Sequence, residues 1–128
     1  MKTAHLSALI AGFLLIGPVA AQVASYDCDK AVTPTERAIC ASPSLGRKDV
    51  IVASYYDLLL HLKPAVPGMA YREFNDALRD QQRQFLSMRD ACGAKTSCLE
   101  QRYDERIAAL RETADRYAAV VFDRPAGK

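Results

Sequence analysis

Four cysteines in two close-spaced pairs constrain this chain more than any other feature. They are Cys28 and Cys40, then Cys92 and Cys98. What they do depends on the compartment, and the N-terminus points to export. Met1 to His5 carry a positive charge at Lys2, Leu6 to Ile16 form a short apolar run, and Gly17-Pro18 break it. Val19-Ala20-Ala21 then supplies small residues at −3 and −1. This is the pattern of a secretory signal peptide cleaved after Ala21. The apolar run is about half the ~20 residues a membrane span requires, and no cysteine stands at the cleavage point to carry a lipid. The expected product is a single domain over residues 22–128 with its core at about 26–121, periplasmic or secreted and without a stable membrane anchor. Disulfides persist in such compartments. Four cysteines allow three pairings, and proximity favours Cys28–Cys40 and Cys92–Cys98, because short loops close at lower entropic cost. Zinc is disfavoured: no C-x₂-C occurs, and His61 is the only histidine after residue 21.

Between the cysteines the chain reads as helix. Thr33-Pro34-Thr35-Glu36 combines a capping threonine, a proline at the first helical position and a glutamate that completes a capping box. This first helix ends near Ala41, where Ser42-Pro43 interrupts and restarts. The second helix carries Leu45, Val52, Tyr55, Tyr56, Leu59 and Leu62 at helical spacing. Lys63 to Gly68, with two prolines, cannot continue it. The third helix spans about Met69 to Cys92, with Tyr71, Phe74, Leu78, Gln81, Phe85, Met88 and Cys92 as its seam. Gly93 is suited to end it in the left-handed conformation. Ser97 and Glu100 suggest a second capping box, opening a fourth helix to about Val121. Its apolar face is Leu99, Tyr103, Ile107, Leu110, Ala114 and Tyr117. Pro125 to Lys128 read as a frayed tail. The expected fold is all-α: a small disulfide-stapled bundle of about four helices, the last two an antiparallel hairpin joined by a short connection.

Charge and motifs exclude several functions. In 128 residues, 17 basic and 15 acidic side chains leave a net +2, too little for a nucleic-acid binder driven by bulk charge. No phosphate loop, nucleophile elbow or H-E-x-x-H occurs, and no cofactor is implied. Glu73, Asp76 and Asp80 could share a helical face for acid–base work, but Arg72, Arg79 and Arg83 interleave with them and make a solvated ion-pair face the better reading. Arg102 and Arg106, like charges at i,i+4, are candidates for a site shaped by an external anion. We therefore read a binding protein rather than an enzyme. Its candidate contact residues are Lys95, Thr96 and Ser97 in the connection between the last two helices, and Arg47 with Lys48 near the start of the second. A loop tied at its base by a disulfide loses little entropy on binding.

Specific residues resemble the LprI-type lysozyme-inhibitor family. Tyr26-Asp27-Cys28-Asp29-Lys30-Ala31 and Glu36-Arg37-Ala38-Ile39-Cys40 are similar to its opening. Leu45, Asp49 and Tyr56 fit its next element, with Lys48 where a leucine is usual. Gln82-Arg83-Gln84-Phe85 and Arg89-Asp90-Ala91-Cys92 fit the third, with Phe85 in place of tryptophan. Cys98-Leu99, Tyr103 and Arg106-Ile107 fit the last. The resemblance implies a small, helical, disulfide-bonded domain whose partner is a lysozyme. The alternative is an interaction module for another envelope protein.

Overall fold

The computed structural model describes residues 23–62 and 69–122, with side chains from 72 to 118 in the second stretch. The expected signal peptide, the Lys63–Gly68 connector, the C-terminal tail and the side chain of Tyr71 lie outside the described residues. Four helices follow one another: α1 (Pro34–Ala41), α2 (Pro43–His61), α3 (Met69–Ala91) and α4 (Thr96–Phe122). No strand occurs among the described residues.

The helix starts follow from local chemistry. Thr33 Oγ1 accepts the Glu36 N–H at 3.1 Å while the Glu36 carboxylate accepts the N–H groups of Thr33 and Val32, each at 2.9 Å, so orphan amides at the start of α1 are satisfied. These backbone hydrogen bonds hold the Glu36 carboxyl below its usual range. Ser42 caps α2 through the Leu45 N–H, and Pro43 occupies its first position. Gly93 ends the α3 segment at φ +58°, where a side chain would be strained. Two details differ from the sequence reading. The arm before α1, for which no element is expected, contains a 3₁₀ turn at Cys28–Lys30, capped by the Asp27 side chain on the Asp29 N–H. And α4 begins at Thr96, so Ser97 lies inside the helix rather than capping it. Glu100, its expected reciprocal partner, turns instead to the Lys48 ammonium.

α2 and α4 run in parallel, Lys48 and Asp49 meeting Glu100 to Asp104. α3 runs against both, with Phe85 edge-on to Tyr103 and Phe74 beside Tyr117. Ile39, Leu45, Leu59, Leu99 and Tyr103 have no exposed surface and form the centre of the core, with Val52, Leu78, Phe85 and Leu110 around them. The α4 stripe behaves as its spacing predicts. On α3 the buried row is Asn75, Leu78 and Phe85, continued by Cys92 just past its end and flanked by half-buried Gln82. Met88 turns out to be 40% exposed and Gln81 lies at the edge of the seam. The 3-4 spacing identified the right helix but placed its face slightly off axis.

Candidate functional site

Both disulfides have the proximity pairing, Cys28–Cys40 and Cys92–Cys98. The second closes the connection between α3 and α4. Inside it the chain turns through the Gly93 N–H to the Asp90 carbonyl at 3.1 Å and the Lys95 N–H to the Cys92 carbonyl at 3.2 Å. Lys95 then offers its own carbonyl to the Leu99 N–H, the first bond of α4. Thr35, buried on α1, donates its hydroxyl to the Gly93 carbonyl at 3.1 Å and lies 3.4 Å from the Asp90 carbonyl. The loop is thus held by the disulfide from below and by α1 from the side. Ala94, Lys95, Thr96 and Ser97 all face solvent, and Lys95 has no ion-pair partner among the described residues. Thr35 was read from sequence only as part of a helix start. Its hydroxyl two residues past the cap was the available signal.

Arg47 and Lys48 are neighbours in sequence and part company in space, since successive helical residues differ by 100°. Lys48 faces α4 and bridges Glu100 and Asp104, the latter at 2.6 Å. Hydrogen bonds to Asp104 and then Glu100 raise its pKa above the usual value. Its ammonium is an internal tie between helices. Arg47 points outward, into a shallow groove lined by Val23, Pro43, Val50 and Ile51, and has no ion-pair partner among the described residues.

Beneath this end of the bundle lies a buried polar network. Asp49, 5% exposed, accepts the Tyr103 hydroxyl and the Ser25 N–H, both at 2.7 Å, with the Arg89 guanidinium 3.8 Å away. Arg89 also pairs with Asp90 at 2.8 Å. Tyr26 donates to the Glu36 carbonyl. Burial, and then the Asp49 carboxylate, push the Tyr26 phenol up to about 12, and the same two causes push Tyr103 up further. The N-terminal arm lies so close to α2 that a Cβ on Gly46 would fall 1.8 Å from the Val23 carbonyl oxygen. Farther along, Arg106 is 6% exposed and donates to the Gln82 side-chain carbonyl through Nε and Nη2 at 3.1 and 2.9 Å. Burial lowers its pKa, with the Tyr56 phenol opposing. Arg102 pairs with Glu105. The two arginines singled out at i,i+4 are therefore both engaged within the fold. Asp76 and Asp80 pair with Arg79 and Arg83 on the exposed side of α3.

Among the described residues, no group of three or more His, Cys, Asp or Glu is placed to hold a metal, and no helix is long and apolar enough to cross a membrane. What the geometry defines is a small helical domain, stapled at one end by two disulfides, that presents a fixed cationic loop. The lysozyme inhibitor LprI family model matches residues 28–110. The chain belongs to that family. No curated protein and no solved structure matches it. The matched span contains all four cysteines and the network residues Asp49, Arg89, Asp90 and Tyr103. The matched span thus takes in the long-range ties that hold this end of the bundle together.

Proposed function

We propose that the protein is an exported, lysozyme-inhibitor-like binding protein that blocks a lysozyme by direct contact, with the Gly93–Ser97 loop as the contacting element. One observation supports the assignment of the loop: it is fixed at both ends and from the side, yet directs Lys95 to solvent without an ion-pair partner among the described residues. Lysozymes cut with a pair of carboxylates in an open cleft. A rigid protrusion bearing a cation, with the Thr96 and Ser97 hydroxyls beside it, supplies donors to such a cleft at little entropic cost. Family membership supports the partner, and the two disulfides accord with export. Lys48 has a weaker claim as a contact residue, because recruiting it would strip Glu100 and Asp104 of their cation.

The test is turnover of cell-wall substrate by a chicken-type lysozyme, with the oxidised chain titrated in. Inhibition should saturate near one equivalent. Replacing Lys95 with Ala should weaken it at least about tenfold, or ~1.4 kcal/mol, without altering the circular dichroism spectrum. An unchanged inhibition constant removes the loop from the contact. Absence of any complex with lysozymes of several types removes the inhibitor reading and favours an interaction module for another envelope protein.

A further inference from the structure

α2 is apolar on more than one side. Leu45, Val52 and Leu59 fill the core, yet Val50 and Leu58 project to solvent at 38% and 53% exposure, and Val23 of the adjoining arm at 39%. These three are the majority of the five large hydrophobics exposed among the described residues, so the exposed apolar surface is concentrated on one face. Exposed large apolar side chains grouped on one face mark a contact surface. This face is rigid: the arm at its edge is pinned by the Ser25 N–H on Asp49 and by close contact at Gly46.

The order of features along the face indicates what covers it. At the N-terminal end of α2 lies the groove between Val23, Pro43, Val50 and Ile51, with the exposed Arg47 at its side. Val50 also borders a second depression, lined by Ala53, Ser54 and Asp57. Near the C-terminal end stand the protruding Leu58 and the exposed Asp57, whose neighbour in the same chain is His61. A hole and a cation at one end thus face outward together with a knob and an anion at the other, with small side chains between. Arg47 and Asp57 are ten residues, or about 15 Å, apart along the helix. A two-fold axis at the level of Val52 superposes the opposites: Leu58 of one copy over the groove of the other, and Asp57 beside Arg47, each twice. Ala53 and Ser54 at the centre permit close approach of the helices. We propose that this face binds a second copy of the chain, forming a two-fold symmetric dimer through antiparallel α2 helices. Such an isologous contact needs one self-complementary patch, and α2 provides it. The contact lies on the side of α2 turned away from Lys48 and α4, so the Gly93–Ser97 loop stays open in the dimer. The proposal does not depend on the identity of the loop's partner.

Sedimentation velocity on the oxidised chain beginning at Gln22, at concentrations up to about 100 μM, reads the association directly. A concentration-dependent dimer is expected, and Leu58→Glu should abolish it with the helical spectrum retained. Arg47→Glu and Asp57→Arg should each raise the dimer dissociation constant about tenfold, because each sets like charges against one another twice. The double variant Arg47→Glu/Asp57→Arg restores opposite charges and should return the constant to within about threefold of the original. A monomer throughout the range overturns the proposal. So does a double variant as weak as the sum of its parts. A monomeric chain whose Leu58→Glu variant loses lysozyme binding would also overturn it, by giving the face to that partner.

Discussion

The two ends of the bundle are held by different means. At the end formed by the arm, α1 and the α3–α4 loop, the ties span long stretches of sequence. Asp49 meets Tyr103, Thr35 meets Gly93, and Lys48 meets Glu100 and Asp104. Both disulfides are there as well. Toward the other end, the ion pairs are mostly local, such as Asp76–Arg79, Asp80–Arg83 and Glu112–Arg116, all exposed. There the long-range contacts are Phe74 against Tyr117 and the glutamine-held Arg106, and the buried Asn75 side-chain oxygen has no hydrogen-bond partner among the described residues. Exposed i,i+3 and i,i+4 pairs contribute only about 0.3–0.5 kcal/mol each. The first end is therefore specified as one geometry, whereas the second is held chiefly by packing. The rigid α3–α4 loop, the proposed contact element, lies at the first.

Substitutions at the two ends should separate sharply. The largest effect is expected for Asp49→Ala, which leaves the Tyr103 hydroxyl buried without its acceptor and removes the carboxylate near Arg89. A loss of about 3 kcal/mol is expected in urea unfolding. A loss below about 1 kcal/mol would mean that the network is not what fixes this end.

Alkaline pH should weaken the same end next. Tyr26 is pushed up to about 12 from an ordinary value of 10.0, and Tyr103 is raised in the same direction. The folded state keeps both phenols protonated while the unfolded chain releases its protons. Their contribution is therefore complete below pH 10 and declines as pH rises toward 12. Absorbance titration near 295 nm should show Tyr26 and Tyr103 ionising late, Tyr103 only with loss of helix. Replacing Tyr103 with Phe should remove the latest component. Ionisation of all the tyrosines near pH 10 in a folded chain would contradict the buried network.

The smallest change is expected at the far end. Asn75→Leu removes an unpaired buried oxygen and adds apolar volume beside the core. It should be neutral or stabilise by up to about 1 kcal/mol. Destabilisation by more than about 1 kcal/mol would show that Asn75 has a partner and that this end, too, is specified by polar contacts.

The contrast also explains what the sequence made legible. Caps, prolines and Gly93 act within a few residues, so α1, α2 and the end of α3 could be read almost directly, as could the disulfide pairing. The burial of Asp49, Thr35 and Arg106 could not, because their partners lie 54, 58 and 24 residues away. Several of the residues that carry the family resemblance are internal ties of this kind: Asp49, Gln82, Arg89, Tyr103 and Arg106. Their presence identified the scaffold and was silent about the surface. For the surface, the useful distinction is between Arg47 and Lys48. Adjacent letters gave them one role, and a rotation of 100° along the helix gives them two.

The spacing of the disulfides separates local from long-range constraint. They join residues separated by 12 and 6 positions, so each closes within its own part of the chain. A chain made from its N-terminus can complete Cys28–Cys40 before any of α3 exists, whereas Asp49 must wait for Tyr103 and the Gly46 backbone is already in reach of Val23. Each cross-link is thus local in the chain, and the joining of α2 to α4 is wholly noncovalent. The cross-links fix neighbouring turns of this molecule, and the buried carboxylate ties its distant parts together.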